Sequence, residues 1–377
     1  MNIDEQALAI HKKYGGKMTL ALRDIPDSKE KLSLYYTPGV AAVSKQVASH
    51  PETLRDYTWT NNLVAVVSDG SAVLGLGNIG PEGALPVMEG KAMLFKHFAN
   101  VDAVPIVLNV HSVDEIVAAV KAMAPSFGGI NLEDIAAPQC FEIEERLKSE
   151  LDIPVMHDDQ HGTAIVVLAG LINAMKVVGK NLSDCKIVIV GAGAAGVAIA
   201  KLLQTYAEPQ IIAVDSKGVI HAGRNDLNES KQRLAEITNA PTEQVSLDEV
   251  IVNADIVVGV SGPGSITPDH VRSMAKDAVV FALANPTPEI MPDLAKQAGA
   301  TVVATGRSDF PNQVNNALAF PGIFRGALDN RVTEITDQHK IAAAEVIASL
   351  IEDPTAENII PPVFNEQLVK KIADVIR

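Results

Sequence analysis

Two acidic pairs in this chain offer the oxygen ligands that a divalent cation prefers. Glu133-Asp134 follows the short apolar segment 129–132, and Asp158-Asp159 follows the segment Val155-Met156-His157. Both pairs are predicted at strand ends, where α/β proteins form their sites. Carboxylates that share a cleft repel one another unless a cation neutralises them, and all-oxygen ligation suits Mg²⁺ or Mn²⁺. We favour a metal site over ordinary loop acids, in which Asp159 would cap a helix beginning at Thr163.

A zinc-protease interpretation of the same segment is excluded. His157 and His161 are four residues apart, but Asp158 rather than Glu follows the first histidine, and Gly162 is expected to end the segment. The H-E-x-x-H motif needs its glutamate as base and a continuous helix through both histidines. We expect both histidines to be structural or to support the ligands.

A glycine-rich turn predicts a dinucleotide site. The apolar β-branched run 187–190 leads directly into Gly191, Ala192, Gly193, Ala194, Ala195 and Gly196, the pattern G-x-G-x-x-G. The pyrophosphate of a dinucleotide binds at the helix N-terminus that such a turn opens. Asp215 ends the next strand, where an acid binds the ribose hydroxyls and favours NAD. Ser216 and Lys217 leave NADP open, and a glycine-rich turn without a ligand is the alternative.

A second G-x-G-x-x-G pattern at 75–80 is rejected as a nucleotide site. Apolar residues on both sides of 68–71 predict a hairpin there rather than the first half of a βαβ unit. The pattern is followed by Pro81-Glu82-Gly83, which is an unusual start for the helix of a nucleotide site.

Four further residues could do chemistry, although each has an ordinary alternative. Tyr36 lies in a Thr-Pro-Gly turn that could present its hydroxyl to a cleft, and Lys91 begins a helix beside a glycine. Most lysines are solvated surface charges. Asn285 and Asn316 follow apolar strands and could donate to carboxylate oxygens, but asparagine is also common in turns.

The elements that must position these residues indicate an α/β fold. Strands and helices alternate from residue 63 to about 155, with an amphipathic helix at 113–123. Further strands are predicted at 211–214, 255–260, 278–284 and 301–304, and their nearly continuous apolar character suits parallel strands covered on both faces. From residue 312 the chain becomes helical. We predict a doubly wound Rossmann-type dinucleotide domain, a second α/β substrate and metal domain, and C-terminal helices.

Composition limits the function classes. A chain of 377 residues with 47% hydrophobic residues can form two domains. A net charge of −15 argues against nucleic acid as a partner. We expect no signal peptide and no membrane-spanning segment, and the separated Cys140 and Cys185 fit a reducing cytoplasm.

The combination of motifs resembles the malic enzyme family over nearly the whole chain. The resemblance is carried by the turn 36–40, the stretch from Gly75 to Lys91, and Leu132-Glu133-Asp134-Ile135. It continues through 157–163, the turn 191–196, Asn285-Pro286-Thr287 and Asn315-Asn316. Length and the segment 305–309 are similar to the short bacterial and archaeal form. One departure is Ala72, where the long eukaryotic forms have an arginine that binds malate.

The resemblance implies specific roles. Tyr36 would be the general acid and Lys91 the general base, with Glu133, Asp134 and Asp159 as metal ligands and Asp158 beside them. Asn285 and Asn316 would contact the substrate near the nicotinamide. Residues 1–157 and 312–377 would form the substrate and metal domain, and residues 158–311 the NAD(P)-binding domain.

The implied reaction is the oxidative decarboxylation of L-malate to pyruvate and CO₂ with reduction of NAD. An oxaloacetate decarboxylase of the same family and a catalytically silent nucleotide-binding regulator are the alternatives. The segment before Leu63 is short and polar, so we expect it to pack on a partner subunit in a homodimer.

Overall fold

The computed structural model describes residues 2–73, 75–240 and 245–377, and its strands form one four-stranded and one six-stranded sheet. The strands are β1 (Leu63–Ser68), β2 (Asp102–Val107), β3 (Gly129–Leu132), β4 (Val155–His157), β5 (Lys186–Val190), β6 (Gln210–Asp215), β7 (Gly218–Val219), β8 (Ile256–Gly259), β9 (Val279–Ala282) and β10 (Val302–Thr305).

Helices separate most of these strands. They are α1 (Ile3–Tyr14), α2 (Lys29–Tyr35), α3 (Val40–Ser49), α4 (Leu54–Tyr57), α5 (Gly80–Ala99), α6 (Val113–Met123), α7 (Gln139–Glu150), α8 (Asp158–Val178), α9 (Ala194–Ala207), α10 (Glu229–Ile237), α11 (Leu247–Val250), α12 (Pro268–Ser273), α13 (Pro292–Gln297), α14 (Phe320–Asp329), α15 (Asp337–Ser349) and α16 (Leu368–Ala373).

The first sheet is parallel, with strand order β2-β1-β3-β4. Every residue of β1 is buried, because helices cover both faces of the sheet. The order places β2 on one side of β1 and β3 on the other. The carboxyl ends of β1 and β3 therefore meet at the point where the winding reverses, which is where ligands bind in open α/β sheets.

The predicted hairpin at 68–71 is wrong. Strand β1 pairs in parallel with β2 and is joined to it through α5, so this part of the chain is a βαβ unit. The glycine-rich stretch 75–80 is the loop that leads into α5, in which Val73 pairs with Gly77 in an isolated bridge; Leu74 lies outside the described residues. Local turn chemistry looked like a hairpin because a strand-to-helix loop uses the same residues.

The second sheet confirms the predicted doubly wound fold. Its order is β10-β9-β8-β5-β6-β7, and all pairs are parallel except the short edge strand β7. Strand β5 is central, with β6 on one side and β8 on the other. The glycine-rich turn follows β5 and so lies at the second point of reversal.

Helix α8 connects the two sheets and begins earlier than predicted. It begins at Asp158 rather than Thr163, because the buried carboxylate of Glu144 accepts the backbone N–H of His157 at 2.9 Å and fixes the first turn. The sequence analysis predicts no apolar segment of membrane-spanning length, whereas α8 is long and apolar enough to span a membrane. However, 67% of its most apolar stretch is buried inside the protein, which is typical of the core helix of a globular protein.

The C-terminal helix α14 packs against the first sheet's helix α5 through aromatic rings. The ring of Phe95 lies 4.7 Å from that of Phe320 and 5.3 Å from that of Phe324, centroid to centroid, and all three side chains are fully buried. This contact joins residues more than 200 positions apart in the chain.

Replacing Phe95 by Ala tests this contact. We expect the Phe95→Ala variant to lose about 3–5 kcal/mol of unfolding free energy, because a large cavity would open among buried rings. Urea denaturation followed by circular dichroism measures the change. The exposed Phe364 offers the matched control, and Phe364→Ala is expected to change the free energy by less than about 1 kcal/mol. Equal effects of the two substitutions would contradict the assignment of Phe95 to the core.

Candidate active site

The two acidic pairs come together at the carboxyl ends of β3 and β4. These neighbouring parallel strands deliver Glu133 and Asp134 directly after β3, and Asp158 and Asp159 in the first turn of α8. One carboxylate oxygen each from Glu133, Asp134 and Asp159 lies within 4.8 Å of the others. The three predicted metal ligands are thus adjacent, and both nearby histidines are outside the cluster.

Backbone hydrogen bonds fix the geometry of these ligands. The N–H of Asp134 donates to Asp159 Oδ2 at 2.8 Å, and the N–H of Glu133 donates to the carbonyl of Val67 at 2.8 Å. Asp134 has a φ of +54°, a left-handed conformation that costs free energy for a non-glycine residue and is typical of functional sites. Three close, hard oxygen donors, two on the loop after β3 and one in the first turn of α8, fit Mg²⁺ or Mn²⁺.

Lys91 projects from α5 into the same cluster. Its Nζ atom lies 2.8 Å from Glu133 Oε1, donates a short hydrogen bond to Asp158 Oδ2, and stands 4.1 Å from the centroid of the Phe320 ring. The side chain is only 7% exposed, so Lys91 is not the solvated surface lysine that residue statistics favour.

Burial and mutual charge shift the pKa values of this cluster. Burial lowers the pKa of Lys91, but the carboxylates of Asp158 and Glu133 outweigh it and raise the pKa above its usual value. Burial also raises the pKa of Glu133 well above its usual value, against the opposing charge of Lys91. The pKa of Asp158 is raised by burial in the same way. Without a bound cation, Lys91 is therefore the ammonium that compensates these carboxylates.

Two buried residues that the sequence interpretation missed support the ligands. Asn131 Nδ2 donates to Glu133 Oε2 at 2.8 Å from the same face of β3, two residues earlier. The alternation of side chains along a strand could have indicated Asn131. Glu144 on α7 accepts a hydrogen bond from the backbone N–H of His157, and its second carboxylate oxygen lies 2.8 Å from His161 Nε2. These contacts connect α7 to the turn that carries Asp158 and Asp159. Nothing in the local sequence indicates Glu144.

The glycine-rich turn after β5 has the geometry that a dinucleotide needs. A Cβ at Gly191, where φ is +118°, would lie 2.4 Å from the Val260 carbonyl, and a Cβ at Gly196 would lie 1.9 Å from the Gly191 carbonyl. A Cβ at Gly193 would meet no atom within 4 Å, so a pyrophosphate can approach the backbone there. Helix α9 begins at the next residue without a side-chain cap, which leaves its first N–H groups to an anion.

Asp215 ends β6 as predicted, but two cations already contact it. Arg224 Nη1 lies 2.8 Å from Asp215 Oδ1, and Lys231 Nζ lies 2.5 Å from Asp215 Oδ2. Burial alone would raise the pKa of Asp215, but these hydrogen bonds lower it to about 2. Asp215, Ser216 and Lys217 line a cavity of about 660 Å³ that extends to Gly191 and Ser261. The cavity fits the adenosine half of a dinucleotide.

The two predicted asparagines lie on loops near the cleft. Asn316 is close to the turn of Asp158, because a Cβ at Gly162 would lie 3.0 Å from the Cβ of Asn316. Asn285 follows β9, and its carbonyl would lie 2.7 Å from a Cβ at Gly75. The loop before α5 therefore touches the loop after β9, so both loops border one cleft.

Among the described residues, no hydrogen bond or ring contact joins Tyr36 to Lys91 or to the carboxylates. Its side chain is 67% exposed, and its hydroxyl makes no hydrogen bond to any residue that the structure describes. The neighbouring Tyr35 hydroxyl donates to Asp24 Oδ2 at 2.6 Å.

Asn131 offers a test of the ligand cluster. We expect Asn131→Ala to weaken Mn²⁺ binding by about 10- to 100-fold, because a hydrogen bond that orients a ligand carboxylate would be lost. Calorimetric titration of Mn²⁺ into the protein measures the affinity. The matched control is Asn173→Ala, which removes a buried asparagine bonded to the carbonyls of Ala348 and Ile359, away from the carboxylates. An unchanged affinity in Asn131→Ala would contradict the assignment.

Comparison with known proteins connects this geometry to a family. The family model described as "Malic enzyme, N-terminal domain" matches residues 15–148, and "Malic enzyme, NAD binding domain" matches residues 160–376. The chain is 56% identical to the bifunctional malic/malolactic enzyme of Bacillus subtilis, over 100% of this chain and 92% of that protein. It is 48% identical to the NADP-dependent malic enzyme of Halomonas elongata, over 94% and 84%.

A solved structure agrees with these relatives. The crystal structure of an NAD-dependent malic enzyme from Thermotoga maritima superposes with a TM-score of 0.94 at 49% identity, over 98% of each chain. The similarity therefore covers both sheets and the cleft between the loops at Gly75 and Asn285.

Proposed function

The chain belongs to the malic enzyme family, and we propose that it catalyses the oxidative decarboxylation of L-malate by NAD⁺ to pyruvate, CO₂ and NADH. The observation that carries the proposal is the buried Lys91 in contact with Glu133 and Asp158, beside a cluster of three metal-binding carboxylates. A base and a divalent cation next to a dinucleotide turn are the parts that this reaction needs.

The roles of the chain's own residues follow from the chemistry. Glu133, Asp134 and Asp159 would hold the cation; when bound, the cation polarises the C2 oxygen of the substrate and compensates the carboxylates, and the nicotinamide accepts the hydride. The charge of a bound cation would lower the pKa of Lys91 and so favour its neutral form. Neutral Lys91 removes the proton of the C2 hydroxyl, and Tyr36 delivers a proton to C3 after CO₂ has left. The net reaction neither releases nor consumes a proton. The proton that Lys91 gains therefore balances the one that Tyr36 loses.

Formation of NADH absorbance with malate, Mn²⁺ and NAD⁺ tests the function directly. We expect absorbance to rise with malate and to depend on Mn²⁺. Loss of oxaloacetate without any malate-dependent NADH would instead favour a decarboxylase, and absence of both activities would favour a nucleotide-binding regulator.

Replacement of Lys91 tests its role as base. Lys91→Ala is expected to lower kcat by about 10²- to 10⁴-fold, the usual contribution of a positioned base, and to leave NADH binding intact, as fluorescence titration would show. Lys96 lies on the same helix but is about half exposed and pairs with Asp102, so Lys96→Ala is the matched control with normal turnover. Near-normal turnover of Lys91→Ala would remove Lys91 from the mechanism.

NADP⁺ is a second candidate cofactor because of the cations around Asp215. The carboxylate favours the ribose diol of NAD⁺. Arg224 and Lys231, together with Lys217 at the same cavity, are groups that would bind a 2′-phosphate if the carboxylate did not occupy them.

The cofactor preference is testable at Asp215. We expect Asp215→Ser to raise the ratio of kcat/KM for NADP⁺ over NAD⁺ by about 10- to 100-fold, since one charge-assisted hydrogen bond contributes about 1.5–3 kcal/mol. Asp329 likewise pairs with an arginine, Arg325, but on α14 and away from this cavity, so Asp329→Ser is the matched control with little change in the ratio. An unchanged ratio in Asp215→Ser would show that Asp215 does not select the cofactor.

We also propose a domain organisation, an oligomeric state and a cellular compartment for this chain. We assign residues 1–157 and 312–377 to a substrate and metal domain, supported by the packing of α14 on α5, and residues 158–311 to the dinucleotide domain. Helix α15, however, contacts α8 and α9. The chain would act as a homodimer. Two buried cysteines that form no disulfide, Cys140 and Cys185, fit a reducing cytoplasm.

A further inference from the structure

The candidate active site has little positive charge with which to hold an anionic substrate. Malate carries two carboxylates, and the cluster around Lys91 already contains those of Glu133, Asp134, Asp158 and Asp159. When all of these groups are ionised, four carboxylates, one ammonium and a bound divalent cation still leave a net negative charge. Attraction of a dianion to this cleft therefore requires a further cation.

The loops at the carboxyl ends of the strands offer very few cations. By sequence, the loops that follow β1, β2, β3, β5, β8 and β9 contain neither lysine nor arginine, and β4 leads directly into α8. Lys217, after β6, lines the cavity at Asp215, and Arg224, after β7, pairs with Asp215. The loop after β10, residues 306–315, contains Arg307. Because ligands of parallel α/β sheets bind at these ends, Arg307 is the arginine placed to meet the substrate.

The loop that carries Arg307 extends from one predicted substrate contact to the other. Strands β9 and β10 are parallel neighbours, so the loops that follow them lie at the same edge. At the start of the loop, a Cβ at Gly306 would lie 2.6 Å from Asn285 Nδ2. The loop ends at Asn316, whose Cβ would lie 3.0 Å from a Cβ at Gly162 on α8. It therefore connects the Asn285 side of the cleft to the helix that begins with the acidic pair.

Several contacts fix the Arg307 guanidinium at this cleft. Its Nε and Nη2 atoms donate to Asp309 Oδ1 at 2.8 Å and Oδ2 at 2.6 Å, and its Cζ atom lies 5.4 Å from the centroid of the Phe310 ring. Its Nη1 atom donates to the Pro286 carbonyl at 3.0 Å. The Pro286 Cδ atom would lie 3.1 Å from a Cβ at Gly75. The guanidinium thus reaches the two loops that touch at the cleft.

The Arg307 guanidinium keeps two donors for a ligand. A guanidinium has five N–H groups, and hydrogen bonds to the described residues use one on Nε and one on each Nη atom. One N–H group therefore remains on each Nη atom, and two such groups match the two oxygens of a carboxylate. The side chain is 33% exposed, so a ligand can reach it without displacing a core contact.

We propose that Arg307 binds the C1 carboxylate of malate, the carboxylate next to the C2 hydroxyl. This inference rests on the proposed function and adds the residue that recognises the substrate. The choice between the two carboxylates follows from their charges. The C4 carboxylate loses its charge as it leaves as CO₂, so a cation bound to it would stabilise the substrate more than the transition state. The C1 carboxylate keeps its charge from malate to pyruvate, and Arg307 can hold it throughout the reaction.

Replacement of Arg307 by Gln tests the proposal. We expect Arg307→Gln to raise the KM for malate by about 10- to 100-fold, because a hydrogen bond between charged groups would be lost. The inhibition constant of pyruvate should rise by the same factor, since pyruvate retains the C1 carboxylate. The KM for NAD⁺ should stay near its wild-type value. Arg307→Lys, which keeps the charge but not the pair of donors, should lie between wild type and Arg307→Gln. Initial rates of NADH formation measure all of these constants.

Arg272 offers the matched control, because it is an exposed arginine on α12 that pairs with Asp269, and Arg272→Gln should keep the wild-type KM for malate. An unchanged KM for malate in Arg307→Gln would overturn the inference. A raised KM for malate with unchanged inhibition by pyruvate would also overturn it, by placing Arg307 on the C4 carboxylate. Equal losses for malate and NAD⁺ would show that Arg307 only stabilises its loop.

A binding measurement separates this inference from the proposed function. If wild type formed no NADH from malate, the proposed function would fail. Calorimetric titration of malate, with Mn²⁺ present, into wild type and Arg307→Gln would still test the role of Arg307. We expect the affinity for malate to fall by about 10- to 100-fold in the variant, and equal affinities would contradict the inference.

Discussion

The contact between the Lys91 ammonium and buried carboxylates is the interaction on which the rest of the structure depends. Lys91 contacts the buried carboxylates of Glu133 and Asp158, and the buried Asp134 and the partly exposed Asp159 lie beside them. Taking an uncompensated charge out of water costs several kcal/mol. Fully ionised, the five groups carry a net charge of −3. The fold therefore leaves a deficit of positive charge that a divalent cation would reduce, so affinity for the cation comes from the way the chain buries its own acids.

Sheet winding and backbone hydrogen bonds keep this unfavourable cluster in place. Its acids are delivered by β3 and α8, while its base comes from α5 after β1. The N–H groups of Glu133 and Asp134, and that of Ala72 to the Asp134 carbonyl at 3.0 Å, hold the two loops together without adding charge. Hydrophobic burial of β1 and of the Phe95, Phe320 and Phe324 rings supplies the stability that opposes the repulsion. The hydrophobic core thus supplies the stability that the charged site lacks.

Sequence reasoning succeeded where the signal was local. The helix at 113–123 and the strand at 129–132 have the bounds that periodicity predicts, and the glycine-rich turn at Gly191 has the predicted geometry. It failed where contacts between residues distant in the sequence determine the local structure. Residues 68–71 form no hairpin because β1 pairs with β2 across a helix, and α8 begins at Asp158 because Glu144, on another helix, binds its first turn. Local patterns carry no information on such partners.

The position of Tyr36 follows the same logic. The family resemblance associates Tyr36 with Lys91, and the proposed reaction requires their proton transfers to act on adjacent carbons of one small substrate. In the single chain Tyr36 is 67% exposed, and none of residues 2–59 around it is buried. No core contact within the chain therefore fixes the position of Tyr36, whereas burial against Phe320 and two carboxylates fixes that of Lys91. A motif can thus identify a residue, but the contacts that orient its side chain for chemistry are a property of the folded surroundings.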